Sequence, residues 1–261
     1  MAKHEPYDFP DNLMDFGAFP KFHENLNALK NLAEEENWNY QNAESDTQHP
    51  ILSSYLRYTY RRIAEERKIS ISADEDKACF NTGLITKNQE PIFLLFSKNH
   101  IGTWDQYWHF SKFVRRGEHD LNEFPALPEM AHYFDDPSTL ILDTRKPFRV
   151  NVEHVVSDNV TRFPDSIQSM ETFAIQNLVS GAKDVAIERA RRNYKTAIPQ
   201  YYNGNIQLLL PLSLLSPQKA DLALVVERFS DFYRAATCLT LDMAYNNARQ
   251  LARPDRDWLK P

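Results

Sequence analysis

Residues 205–229, NIQLLLPLSLLSPQKADLALVVERF, decide the fold class. Two apolar runs, NIQLLLPLSLL and DLALVVERF, flank the polar SPQKA; each is short and bounded by turn residues, so they read as two buried strands. Working outward, KISISAD, KACFNTGLI and PIFLLFSKN are three further runs rich in β-branched and aromatic residues, the last two joined by the turn-like TKNQE. STLILDT and FRVNVEHVV repeat the pattern after an irregular aromatic stretch (Trp104, Tyr107, Trp108, Phe110, Phe113), with Pro147 breaking between them. Helical spacing appears in ILSSYLRYTYRRIAEERK from Pro50, in a long segment from about 165 to 197 ended near Pro199, and in a final segment from about 231 to 251. Strands come first and helices interrupt irregularly, which predicts a single α+β domain, a mostly antiparallel or mixed sheet packed by long helices, rather than repeating βαβ units. Residues 1–48, rich in Asn, Asp, Glu and Pro, read as a peripheral N-terminal extension to an α+β domain over 49–261, and no internal repeat or low-complexity tract is visible.

Composition restricts the chemistry. The 261 residues include only six glycines (Gly17, Gly83, Gly102, Gly117, Gly181, Gly204), so the Walker loop and the G-x-G-x-x-G turn are excluded. A formal charge of −6 argues against a protein that coats nucleic acid through bulk positive charge, and any basic surface must be local. Cys79 and Cys238 stand alone in apolar surroundings and read as buried reduced thiols. No apolar run reaches the roughly 20 residues of a bilayer span, and residues 1–19 lack a signal-peptide core, so a cytoplasmic protein without membrane contact is expected.

Polar residues at core positions carry the site prediction. On a helical wheel Ile175, Leu178, Val179, Ala182, Val185 and Ala186 form one apolar stripe, which continues into Arg189 and Asn193 with Arg192 at its margin. In the last segment Phe232, Ala235, Ala236, Leu239 and Met243 continue into Asn246 and Gln250, flanked by Asp242 and Arg249. Buried charge requires partners, so either the rows meet each other, Asp242 taking a bidentate bond from Arg189 or Arg192, or they floor a cleft for an anion. ERARRNYKTAIPQYY adds Arg191 and Lys195 and places Gln200, Tyr201 and Tyr202 in a loop, a combination suited to a phosphate and a stacked base, or else to a solvated basic face.

VNVEHVVSDNVTRFP, read as an alternating strand, puts Asn151 and Glu153 on one face and His154 among valines on the other. Asp158, Asn159 and Arg162 follow at its exit, where binding residues collect. FNTGL offers Asn81 and Thr82 before Gly83, as ligand contacts or as a bulge with local backbone bonds. There is no H-E-x-x-H, no cysteine ligand pair and no G-x-S-x-G elbow; the acidic pairs in GEHD (Gly117 to Asp120) and FDD (Asp135, Asp136) could bind a divalent cation or stand solvated, the commoner state of isolated acidic pairs. The cofactor is thus left open: a divalent cation is possible but no motif indicates one.

FNTGL, VNVEHVVSDNVTRFP, RRNYKTAIPQYYNGNIQLLLPLSL, DLALVVER and LTLDMAYNNARQLARPDRDWL, in this order, resemble the family catalogued as domain of unknown function 3825, over roughly residues 50–261. Relatives are joined to RNA-linked modules such as LOTUS-type helix-turn-helix and cold-shock domains, so the resemblance implies an RNA or nucleotide context; it carries over no catalytic residues. The leading expectation is a protein that binds a nucleotide or RNA end in a side-chain-built anionic pocket, with hydrolysis of a phosphoester or phosphoanhydride as its catalytic form. Arg162, Arg189, Arg192 and Lys195 would neutralise phosphate, Asn81, Asn151, Asn159, Asn193 and Asn246 would hydrogen-bond, Tyr201 or Tyr202 would stack, His154 would be acid/base and Asp242 the orienting carboxylate. A non-catalytic RNA-binding module and an oligomeric scaffold joined through Trp104–Phe113 are the alternatives.

Overall fold

A computed structural model describes residues 6–42, 44–101, 103–254 and 258–259. The fold is α+β, with two five-stranded mixed sheets rather than one. Contacts group the chain into two compact units, Met1–Asn39 with Ser45–His132, and Tyr40–Glu44 with Tyr133–Pro261.

The first unit contains α1 (Leu13–Phe16), β1 (Gly17–Ala18), α2 (Phe22–Leu32), α3 (Pro50–Glu65), β2 (Ser70–Ile71), β3 (Lys77–Ile85), β4 (Pro91–Lys98) and β5 (Trp108–Arg115). Its sheet runs β1-β5-β4-β3-β2, antiparallel except for β1 against β5. The stretch expected to be peripheral contributes core: Leu13, Leu26 and Leu29 are fully buried, and the Phe16 ring packs edge-on to Phe96 with centroids 5.2 Å apart. Part of the aromatic stretch expected to be irregular is β5, whose pairing with β4 and β1 buries Trp108. Cys79, on β3, and Cys238, in the second unit, are both buried free thiols whose acidity burial suppresses, pushing each up to about 12.

The second unit contains β6 (Phe148–Val150), α4 (Val152–Ser157), α5 (Asp165–Gln168), α6 (Thr172–Arg192), β7 (Ile198–Tyr202), β8 (Asn205–Leu212), β9 (Leu222–Arg228), β10 (Tyr233–Leu239) and α7 (Leu241–Arg249). Its sheet runs β6-β10-β9-β8-β7, antiparallel except for β6 against β10. Each unit therefore repeats one plan: a short strand, then helices, then a four-strand meander whose last strand lies parallel beside the first. A parallel neighbour needs a crossover connection, and the helices supply it. Ile175, Val179, Ala182, Ala186 and Ala190 of α6 pack with Leu208, Leu210, Leu212, Leu224 and Val226 in the core of this unit.

Four sequence expectations are corrected here. The segment 231–251 is not one helix: β10 occupies 233–239, where pairing with β9 and β6 overrides the alanines' helix preference, and α7 begins only after Thr240, whose Oγ1 accepts from Met243 N at 3.3 Å. The strand read through residues 151–156 stops at Val150, because Asn151 Oδ1 accepts from His154 N at 3.2 Å and caps α4. STLILDT is a 3-10 turn, Pro137–Leu140, started by Asp136, rather than a strand. Gln200–Tyr202 belong to β7, not a loop; Asn203 and Gly204, with φ of 47° and 81°, make the tight turn into β8.

Candidate functional site

The second unit carries a cleft of about 520 Å³. One wall is the turn Arg162–Pro164; the others are the N-terminal turn of α7 with Asn246, the β8–β9 connection at Leu215 and Lys219–Asp221, and the side chains of Tyr40 and Asn42. Local sequence builds the Arg162 wall. Asp158 ends α4, a 3-10 turn follows at Val160–Arg162, and Phe163 is held extended by the proline after it while its ring is buried.

Arg162 is fixed rather than floating. Its Nη1 donates to Asn159 Oδ1 at 2.6 Å and to Cys238 O, with Thr237 Oγ1 at 3.5 Å. Asn159, 2% exposed, is oriented in turn by donation to Val155 O at 2.9 Å and by the Thr237 hydroxyl at 3.0 Å. One guanidinium edge is thus locked to the end of β10, and the residue lines the cleft.

Asp242, 5% exposed, lines the same cleft from the first turn of α7. Its Oδ1 accepts from Asn42 Nδ2 at 3.2 Å, and the backbone of Gln41 and Asn42 also favours the anion. Burial outweighs these bonds and holds the carboxyl above its ordinary value. Asn246 stands one turn further along, donating to Tyr40 Oη at 2.6 Å, while its Oδ1 is buried without a partner among the described residues. Asp221 spends one oxygen on Leu214 N and Leu215 N, at 2.7 and 3.0 Å, and so fixes the β8–β9 connection. Lys219 is exposed at the rim. The lining thus sets two cations, Arg162 and Lys219, beside two carboxylates, Asp221 engaged with backbone amides and Asp242 whose ionisation burial opposes.

The structure brings together Arg162, Asp242 and Asn246 of the expected set, with Asn159 behind Arg162. His154 is not on a strand among valines; it is exposed on α4 with Nδ1 3.1 Å from Asp158 Oδ2 and does not line the cleft. Asn151 is the α4 cap, so its oxygen is engaged. Arg189, Arg192, Asn193 and Lys195 stand at the C-terminal end of α6 and the turn beyond it, outside the cleft, and Asp242 bonds to Asn42 rather than to either arginine. The buried stripe of α6 runs through Ala186 to Ala190, which leaves Arg189 beside it and Arg192 exposed.

Gln200, 1% exposed, donates to Gln207 Oε1 at 2.8 Å and accepts from Asn247. Tyr201 is buried edge-on to Tyr133, Tyr202 is exposed, and Arg249 is buried in the last turn of α7. Asn81 and Thr82 belong to the first unit. Asn81 Oδ1 accepts from Gly83 N at 2.9 Å, and Thr82 Oγ1 donates to Ile92 O at 2.7 Å across a register shift in β3. Sequence reading missed Tyr40, Asn42, Lys219 and Thr240. Only Thr240 had a local signal, a cap residue before LDMAYNNAR.

Among the described residues no group of three or more His, Cys, Asp and Glu is placed to hold a metal ion, and no helix is long and apolar enough to cross a membrane. The family model described as "Domain of unknown function (DUF3825)" matches residues 29–258. No curated protein and no solved structure matches the chain.

Proposed function

We propose that this chain, which belongs to the DUF3825 family, binds a phosphorylated nucleotide or an RNA end in the cleft of its second unit. The observation that carries the reading is Arg162, locked on one edge by Asn159 and Cys238 and lining a cleft with Lys219 and the first turn of α7. Phosphate would meet Arg162 and Lys219, while Asn42, Asn246 and Tyr40 would face the sugar or base.

Asp242 supports a hydrolytic form of the same reading. A carboxyl raised by burial is suited to give its proton to the leaving oxygen as water adds to phosphorus and the phosphorus–oxygen bond breaks; a proton from that water restores the acid.

Titration calorimetry with inorganic phosphate, adenosine, AMP and ATP tests binding, and product analysis with wild type and Asp242→Asn tests turnover. Lys219→Ala removes an exposed rim cation and should weaken nucleotide binding several-fold without changing the melting temperature. Equal affinity for AMP and adenosine, or no effect of Lys219→Ala, would overturn the reading.

A further inference from the structure

The second sheet carries a polar row that the cleft does not use. Register aligns Gln200 with Gln207, Glu227 with Arg234, and Arg234 with Arg149, while the pairing of Leu208 with Val226 sets Gln207 beside Glu227. One residue from every strand therefore stands in a single line across the sheet, from β7 to β6. Side chains join along it: Gln200 donates to Gln207 at 2.8 Å, Gln207 to Glu227 Oε1 at 3.0 Å, and Arg234 to Glu227 Oε2 at 2.9 Å. Asn247 of α7 anchors the buried end through Gln200 Oε1.

At its exposed end the row meets two rings from the β9–β10 hairpin. Strand alternation puts Phe229 on the face of Glu227 and Phe232 on the face of Arg234. The rings stack with centroids 4.9 Å apart and planes 4° from parallel. Arg149 Cζ lies 3.9 Å from the centre of Phe232, and Arg234 Cζ 5.2 Å from the centre of Phe229. Lys146 ties the hairpin by donating to Phe229 O and Ser230 O, at 3.0 and 2.6 Å. Nearby acids are engaged: Asp143 with Arg145, Glu227 with Arg234, Asp231 with Ser230. Arg149 is exposed, and among the described residues its guanidinium has no acid and no hydrogen-bond acceptor.

We propose that this Arg149–Phe232–Phe229–Arg234 stack is a docking surface for single-stranded nucleic acid. A guanidinium held over a ring can offer its outer side to a base and its N–H groups to phosphate, two chemistries that alternate along a single strand. An acidic peptide would satisfy the edge and waste the face, and a duplex keeps its bases paired. The surface is separate from the cleft. The hairpin precedes the first residue of the seven-residue β10, the cleft gathers beyond its last, and the strand between them spans about 23 Å.

Fluorescence anisotropy with a single-stranded oligonucleotide of about 12 nucleotides lacking terminal phosphates tests the surface, and the missing phosphate keeps the result distinct from that of the cleft. Wild type should bind with an affinity that falls as salt is added. Arg149→Ala should weaken binding about tenfold and lower the salt slope by about 0.7, whereas Arg149→Lys should keep the slope and still lose affinity. Each variant should melt within about 4 °C of wild type, because the Arg149 side chain is exposed and its contact with the Phe232 ring is a single exposed cation–π pair. No binding at low salt, equal binding by Arg149→Ala, or preference for an oligoglutamate peptide or the matching duplex would overturn the assignment.

Discussion

Arg162→Met tests whether the arginine is the clasp described. Methionine preserves the aliphatic stem and removes the nitrogen shared by Asn159 Oδ1, Cys238 O and Thr237 Oγ1. Asn159 Oδ1 would keep the Thr237 hydroxyl, so its loss is partial. Cys238 O loses its charged donor outright. A hydrogen bond to a charged group contributes about 1.5–3 kcal/mol, and partial exposure of Arg162 discounts the pair, so about 2–4 kcal/mol is expected. For a chain of this size each kcal/mol shifts the melting temperature by about 2–4 °C, which makes the drop readable by calorimetry or circular dichroism. Thr237→Val removes the second arm of the network, and the double variant should lose about 0.5–3 kcal/mol less than the sum of the singles. An Arg162→Met protein that melts within about 1 °C of wild type, or strict additivity with Thr237→Val, would refute the clasp.

Asp242→Asn should raise stability at neutral pH, since it removes a carboxylate whose ionisation burial opposes. Because the folded carboxyl lies above its ordinary 3.8, wild-type stability falls as pH rises through the window above that value; the gap between variant and wild type should widen there, and a gap constant from pH 3 to 8 would contradict the assignment. Gly83→Ala should destabilise by about 2 kcal/mol or more in denaturant melts. Its φ of +73° disfavours an L side chain, and a Cβ would lie 2.7 Å from Tyr55 Oη, which donates to Thr82 O. Gly181→Ala, exposed within α6 with nothing near its added methyl, should instead stabilise by about 0.5–1 kcal/mol in the same assay.

What the sequence disclosed divides along physical lines. The strands 77–85, 91–98, 205–212 and 222–228 were legible because apolar runs bounded by turn residues admit few other readings. The stretch 231–251 misled because Ala235, Ala236 and Leu239 satisfy a helical wheel, while the competing pairs with β6 and β9 come from distant chain. His154 was misplaced for the opposite reason: a local cap at Asn151 switched the period, and valines that suit a strand were buried on a helix instead. Asp242 and Asn246 stood out as polar residues on an otherwise apolar helix face, and that anomaly survived the error about where the helix starts. Tyr40 and Asn42 gave no such signal. Their contribution exists only through contacts with residues some 200 positions later.

That separation has a consequence for how the protein is made. Asn42 and Tyr40 bond to Asp242 and Asn246 across 200 and 206 residues, so this wall of the cleft leaves the ribosome well before the helix it bonds to. Closing a flexible loop of that length costs about 5 kcal/mol of chain entropy by the logarithmic rule, so these bonds depend on the strands and helices between them being folded. A nascent chain halted before α7 would hold Arg162 without the wall that faces it. Occupancy of the cleft would then report a chain unbroken from Tyr40 through α7.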